Sequence, residues 1–243
     1  MLRRCGPPAA LALTLALILV VGCSSDGDDE VADEPTTSIP LSTGQGVETQ
    51  TTGTVHLVDQ PWTCFGRVDL DLVKVEIRNV EDDAIYLRQG CTGRIGRIEV
   101  DTWKGDGLKV NVPAPVAHDL VVEGGYIRCH AQGAGGHQDG IQVMGGKRIT
   151  FQGLEINCNS EPNAQFYVSA LAPGMPTDVV CDGCFLGSGA AQTLSIDESV
   201  RSGARNTLIC PGRFRALRID ESLAQEPVLE GNKELPGDDK RCA

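Results

Sequence analysis

Aromatic side chains are scarce in this chain: two Trp, three Tyr and five Phe among 243 residues. No long segment of helical period separates its strand-like runs. That argues against a βαβ sheet, whose crossovers each need about ten or more residues, usually as a helix. No basic stripe occurs, which argues against nucleic acid as a partner. Residues 24–53 contain no Lys or Arg. The apolar run Ala9 to Val21 is too short to span a bilayer. No second Cys-x-x-Cys with His accompanies Cys181-x-x-Cys184, so neither metal nor redox chemistry is indicated there.

What the chain does have is a repeat. Its fullest copy is Gly136-His137-Gln138-Asp139-Gly140-Ile141-Gln142-Val143. Shorter copies begin at Asp83, Asp106, Ala164, Gln192 and Arg215; with Asp139 of the fullest copy, successive starts are separated by steps of 23, 33, 25, 28 and 23 residues. Each has apolar third and fifth positions, the signature of a solenoid. A second repeat runs out of phase: Leu120-Val121-Val122, Ile149-Thr150-Phe151, Val179-Val180-Cys181 and Thr207-Leu208-Ile209. Each of these is followed by a small or turn-forming residue, Gly124, Gly153, Gly183 or Pro211. Two or more short strands per repeat with Gly-rich corners predict an all-β, parallel β-helix of about six to seven coils, disulfide-bridged, over residues 54–219.

The ends read differently. Arg3 and Arg4 before the apolar run mark residues 1–22 as a signal segment. It closes on Val20-Val21-Gly22-Cys23-Ser24, which resembles a bacterial lipobox and implies lipid attachment at Cys23. The expected location is then the extracytoplasmic face of a bacterial membrane, with the bilayer as a partner through the lipid anchor. Residues 23–53 read as an acidic tether, carrying Asp26, Asp28, Asp29, Glu30, Asp33, Glu34 and Glu48 with no offsetting base. Residues 220–243 look like a second acidic tail. With both acidic ends and the signal set aside, the overall charge of −12 reduces to about −3 for the body. The acidity therefore says little about the body's partners.

An exported chain with ten cysteines points to disulfides. Cys5 leaves with the signal and Cys23 takes lipid. Aligning the second repeat puts Cys158 at the position of Cys129, and coils stack about 5 Å apart, within bridging reach. Cys64 and Cys91 are 27 residues apart, also one coil. These two pairs are expected to be joined. The pairing of Cys181, Cys184, Cys210 and Cys242 stays open.

Strand alternation points Ile141 and Val143 inward and Gln142 outward. Its equivalents, Tyr86, Lys109, Tyr167, Ser195 and Arg218, should then form one row. Aromatic, amide and cationic groups in a row suit a sugar chain, with rings stacking on Tyr86 and Tyr167 while Gln142 and Arg218 meet hydroxyls or carboxylates. Ahead of this strand stand Asp83, Asp106 and Asp139 in consecutive coils, with Asp82 beside the first. Two readings stay open for them: turn residues bonding local backbone, or paired acid–base carboxylates with a possible Ca²⁺ site. His137 near Asp139 supplies a group that titrates near neutral pH. His130 and Gln132 lie in the same long step.

From these residues the chain resembles the right-handed parallel β-helix proteins of the pectin-lyase-like superfamily, over about residues 54–219. The resemblance rests on the repeats and on Gly136 to Val143. It implies a right-handed coil and action on, or binding to, polysaccharide. Polygalacturonase-like members place aspartates on successive coils, as Asp82, Asp83, Asp106 and Asp139 do here. Their Asn-Thr-Asp, Gly-His-Gly and Arg-Ile-Lys motifs are absent. Lyase members use a Lys or Arg base near acidic Ca²⁺ ligands, a role that Lys109 or Arg218 would take. The body is short, lacks a complete catalytic motif and has few tryptophans. The expectation is therefore a tethered module binding polysaccharide or cell-envelope glycan. The alternative is a polysaccharide lyase or glycoside hydrolase with His137, Asp139, Asp106 and Lys109 as catalytic groups.

The anchoring expectation is tested by Cys23→Ser. The native chain should incorporate a palmitate analogue and partition with membranes, and the variant should do neither. Equal labelling of both would exclude lipid at Cys23.

Overall fold

The computed structural model describes residues 51–111, 114–130, 138–158, 163–170 and 174–242. The signal segment, Cys23 and nearly all of the tether lie outside the described residues, as does His137. Among the described residues the chain is an all-β parallel solenoid of about 6 turns. Their single helical element is a 3-10 turn, Lys240–Cys242, and none is long and apolar enough to cross a membrane.

Each coil has three faces. The first face is a seven-stranded sheet of Trp62–Cys64, Ile85–Leu87, Leu108–Val110, Ile141–Val143, Ala164–Val168, Gln192–Ile196 and Arg215–Ile219, in that spatial order. The other two faces are wings of a fifteen-stranded sheet that meet in the long strand Arg67–Ile77. Its residues 67–70 pair with Thr92–Ile95 on the second face, and residues 73–77 pair with Ile98–Thr102 on the third. Thr52–Val58 lies on the outer edge of this strand and covers the first coil.

Inward positions stack like on like. Ile85, Leu108, Ile141, Phe166, Leu194 and Leu217 form one column through six coils. All are fully buried except Leu217, in the last strand of the face. Each large apolar side chain buried this way contributes about 1.5–3 kcal/mol. On the second face Leu120, Ile149 and Val179 stack in the expected register.

The fourth member of the second repeat needs correction. Thr207-Leu208-Ile209 does not follow Val179-Val180-Cys181. Val180 and Cys181 pair with Gly203 and Ala204, whereas Leu208 and Ile209 pair with Phe185 and Leu186 on the third face. Gly203 and Ala204 carry no side chain large enough to read as a strand, yet the ladder between coils is made by backbone. The corner of this coil is accordingly Asn206 at φ 51°, equivalent to Gly183 at φ 66°, and not Pro211. Asn tolerates this left-handed conformation better than most residues.

The stretch after Ile219 is folded, so the tail drawn at 220–243 from composition alone is not a second tether. Ala224–Gln225 stacks on Ser199–Val200 and Lys233–Glu234 on Leu208–Ile209. The Cys210–Cys242 bridge, with Cα atoms 5.6 Å apart, ties its end to the body. Charge counts miss this because backbone pairing and one disulfide hold the segment, with little apolar burial. Cys64–Cys91 and Cys129–Cys158 are joined as the repeat predicts, and the latter two residues face each other in register. Cys181–Cys184 is a bridge across the corner at Gly183.

Candidate functional site

The outward row exists in the register expected. Tyr86, Lys109, Gln142, Tyr167, Ser195 and Arg218 occupy equivalent places in six successive first-face strands. Thr63 precedes them in Trp62–Cys64, where Gln60-Pro61 stands in place of Asp-Gly and the inward residues are Trp62 and Cys64 in place of aliphatic ones. Most of the row is half-buried, and Ser195 is covered. The Tyr86 hydroxyl donates to the Asp82 carboxylate, and the Arg88 guanidinium lies 3.8 Å over the Tyr86 ring. Burial, with the neighbouring Asp82 and Asp83, raises the Tyr86 phenol above its ordinary pKa.

Ahead of the row, at the corner from the third face, run the aspartates. They are nearly inaccessible: Asp83 is 8%, Asp106 4% and Asp139 1% exposed. Each Oδ1 accepts the backbone N–H of the equivalent residue one coil further on, Asp83 from Asp106, Asp106 from Asp139 and Asp139 from Ala164, all at 2.8 Å. A buried corner N–H must be paired, and here a side chain of the preceding coil does it. The turn reading, in which these residues bond local backbone, is therefore corrected: the backbone that Asp83, Asp106 and Asp139 bond is in the next coil. Asp83 is followed by Ala84, whereas the glycines after Asp106 and Asp139 follow from crowding at the corner. A Cβ at Gly140 would stand 2.3 Å from Ile156 Cγ2, and one at Gly107 2.2 Å from Ile127 Cγ2.

Lys109 completes the network. Its Nζ lies 2.8 Å from Asp83 Oδ2 and 3.0 Å from Asp106 Oδ2, with only 19% of its side chain exposed. Burial works against the ammonium, but hydrogen bonds and charge from Asp83 and Asp106 outweigh it and raise its pKa. Burial and the Asp83 charge raise the Asp106 carboxyl. Asp139 has no ion pair with Lys109, and burial together with the Asp106 charge pushes its carboxyl up to about 7. Among the described residues no group of three or more His, Cys, Asp or Glu is arranged to hold a metal ion. Between Asp83 and Asp106 the positive charge is supplied by Lys109 itself.

The remaining histidine of the long step goes elsewhere. His130 stacks on Trp103 at 4.3 Å, and its Nε2 lies 2.8 Å from Asp101 Oδ1, where the third face ends. The indole is also approached by Arg78 at 5.2 Å.

Further along the row lies a feature the sequence reading missed. Tyr167, Gln192, Ser195 and Arg218, with Asn163 and Ala164, line a hollow of about 180 Å³. Behind it stands Asp197, whose Oδ2 accepts from Arg218 Nη1 at 2.9 Å and from the Tyr167 hydroxyl at 3.2 Å. Arg218 Nη1 also donates to Ser195 Oγ at 3.2 Å. Burial and the Asp197 charge raise the Tyr167 phenol. The signal was present: alternation carried one residue past Ile196 points Asp197 to the same side as Ser195. A larger hollow, about 710 Å³, lies between the first and second faces beside Pro115, His118, Lys147, Arg148 and Met175, and no residue of the row or the Asp corner borders it.

Burial and the Asp106 charge hold the Asp139 carboxyl well above the ordinary carboxylate range. Its protonated form is therefore the stabilised one, and that advantage is present at low pH and lost as pH rises from about 4 to about 7. Asp139→Asn keeps the acceptor for the Ala164 N–H and removes the titration. Between about pH 5 and about pH 8 the native chain should lose several degrees of melting temperature relative to Asp139→Asn, since about 1 kcal/mol moves a domain of this size by roughly 2–4 °C. Parallel curves over that range would mean that Asp139 is ionised throughout. In comparison with known proteins, no family model, curated protein or solved structure matches this chain.

Proposed function

We propose that this chain is a membrane-tethered, extracytoplasmic module that binds polysaccharide or cell-envelope glycan along its first face. In this reading it is a right-handed β-helix of the pectin-lyase-like kind, anchored through lipid on Cys23. The observation that carries the reading is the outward row. Two tyrosines, an amide and two cations recur at one position of successive coils, and the far end of the row opens on a hollow of about 180 Å³. A linear polymer laid across coils meets an outward row, with rings against Tyr86 and Tyr167 and hydroxyls against Gln142 and Arg218. Such a surface gains affinity from several weak contacts made at once.

A second reading, a lyase or hydrolase, is favoured by one observation. A buried carboxyl at about 7 beside Asp106 and Lys109 has the titration expected of a general acid. Against it stands the commitment of Asp83, Asp106 and Asp139 to backbone N–H groups. His137, the other acid–base candidate, lies outside the described residues.

A polysaccharide screen that scores both retention and the release of reducing or unsaturated ends separates the two. The binding reading expects retention without release, weakened about tenfold or more, or about 1.4 kcal/mol, by Tyr167→Ala and by Gln142→Ala. Release of new chain ends that Asp139→Asn abolishes would establish the enzyme reading instead.

A further inference from the structure

Resting on the glycan-binding reading, we infer that the first face selects an uncharged polysaccharide, and that Asp197 is the residue that sets this selection. Both cations in the row are already neutralised by the protein. Lys109 sits within 3.0 Å of two carboxylates, Asp83 and Asp106. Arg218 Nη1 is 2.9 Å from Asp197. Arg88 and Arg215 flank the row, the first stacked on Tyr86 and the second exposed beside the hollow-lining Gln192. Set against them are Asp82 and the aspartates of the corner. Four cations, Lys109, Arg88, Arg215 and Arg218, thus stand beside four carboxylates, Asp82, Asp83, Asp106 and Asp197, and leave little net charge to draw a polyanion.

The Arg218–Asp197 pair is also locked. Asp197 is 8% exposed, and its Oδ1 is buried with no hydrogen bond. Its compensation comes through Oδ2, from Arg218 and the Tyr167 hydroxyl. If Arg218 turned towards a carboxylate on a ligand, it would strand a buried, half-satisfied carboxylate, the costly way to break an ion pair. Arg218 therefore remains with Asp197. The hollow offers a ligand the ring of Tyr167, the side-chain amide of Gln192 and the remaining N–H groups of a neutralised guanidinium. These groups suit hydroxyls.

The test is retention of the full chain on immobilised neutral polymers (glucan, mannan, galactan, xylan) and on two polyuronates (polygalacturonate, alginate), at about 0.05 and about 0.5 M salt, since salt screens exposed charge. The expected result is retention by at least one neutral polymer, changing less than about twofold with salt, and none on the polyuronates. In Asp197→Asn the Arg218 charge is released. Neutral retention should fall, and polygalacturonate retention should rise about tenfold or more at low salt and vanish at high salt. A native chain held by polyuronates in a salt-sensitive way, and not by neutral polymers, overturns the inference while leaving glycan binding intact. A chain held by no polymer overturns glycan binding itself. The native chain decides between these outcomes even if Asp197→Asn does not fold.

Discussion

Backbone hydrogen bonding between parallel coils, held in register, positions every side chain on the first face. Ile141 lies between Leu108 and Phe166, and for that reason Gln142 lies between Lys109 and Tyr167. A slip of one residue in any coil would turn an inward column outward and bury the row. Apolar stacking inside and chemical recurrence outside are therefore one constraint seen from two sides. Disulfides reinforce it where a short solenoid is weakest. Cys64–Cys91 lies in the first coils and Cys210–Cys242 in the last, and end coils lack a neighbour on one side.

The aspartate corner shows how the register is defended where strands stop. Between the third face and the first, the chain turns and a backbone N–H leaves the ladder. Asp83, Asp106 and Asp139 each return it to the preceding coil through a carboxylate. Stacked carboxylates repel, and burial sharpens the repulsion. The structure answers in two ways along one column. Lys109 is placed between Asp83 and Asp106, and Asp139, beyond its reach, takes a raised pKa. The same arrangement that looks like catalytic equipment is thus required by the fold. Any chemistry at Asp139 would have to proceed with its Oδ1 already engaged.

Much of this was legible in the sequence. The spacing of Asp83, Asp106 and Asp139, with apolar residues two and four places on, is enough to align the coils and the outward row, and the second repeat aligns Cys129 with Cys158. What escaped did so for physical reasons. Thr63 sits between Trp62 and Cys64 and after Gln60-Pro61, which lack the Asp and the aliphatic pair that mark the other coils. Gly203 and Ala204 pair through backbone that composition does not reveal, so the strand was assigned to Leu208 and Ile209. The acidic segment after Asp220 is held by pairing and a disulfide, which charge counts do not register. Asp197 lies one residue beyond the five-residue repeat, although the alternation continues through it. The carboxylates were recognised as a cluster, but their hydrogen bonds to the next coil depend on a corner geometry that spacing alone does not define.

The three tyrosines of the chain divide its surface. Tyr86 and Tyr167 belong to the row on the first face, whereas Tyr126 stands on the third, over Arg128. Oxidative footprinting of tyrosine, with and without a retained polysaccharide, reads both faces in one sample. Recognition along the first face predicts protection of Tyr167 and Tyr86 with Tyr126 unchanged. Protection confined to Tyr126, with Tyr86 and Tyr167 modified as in the free protein, would place the ligand on the wrong face and contradict it.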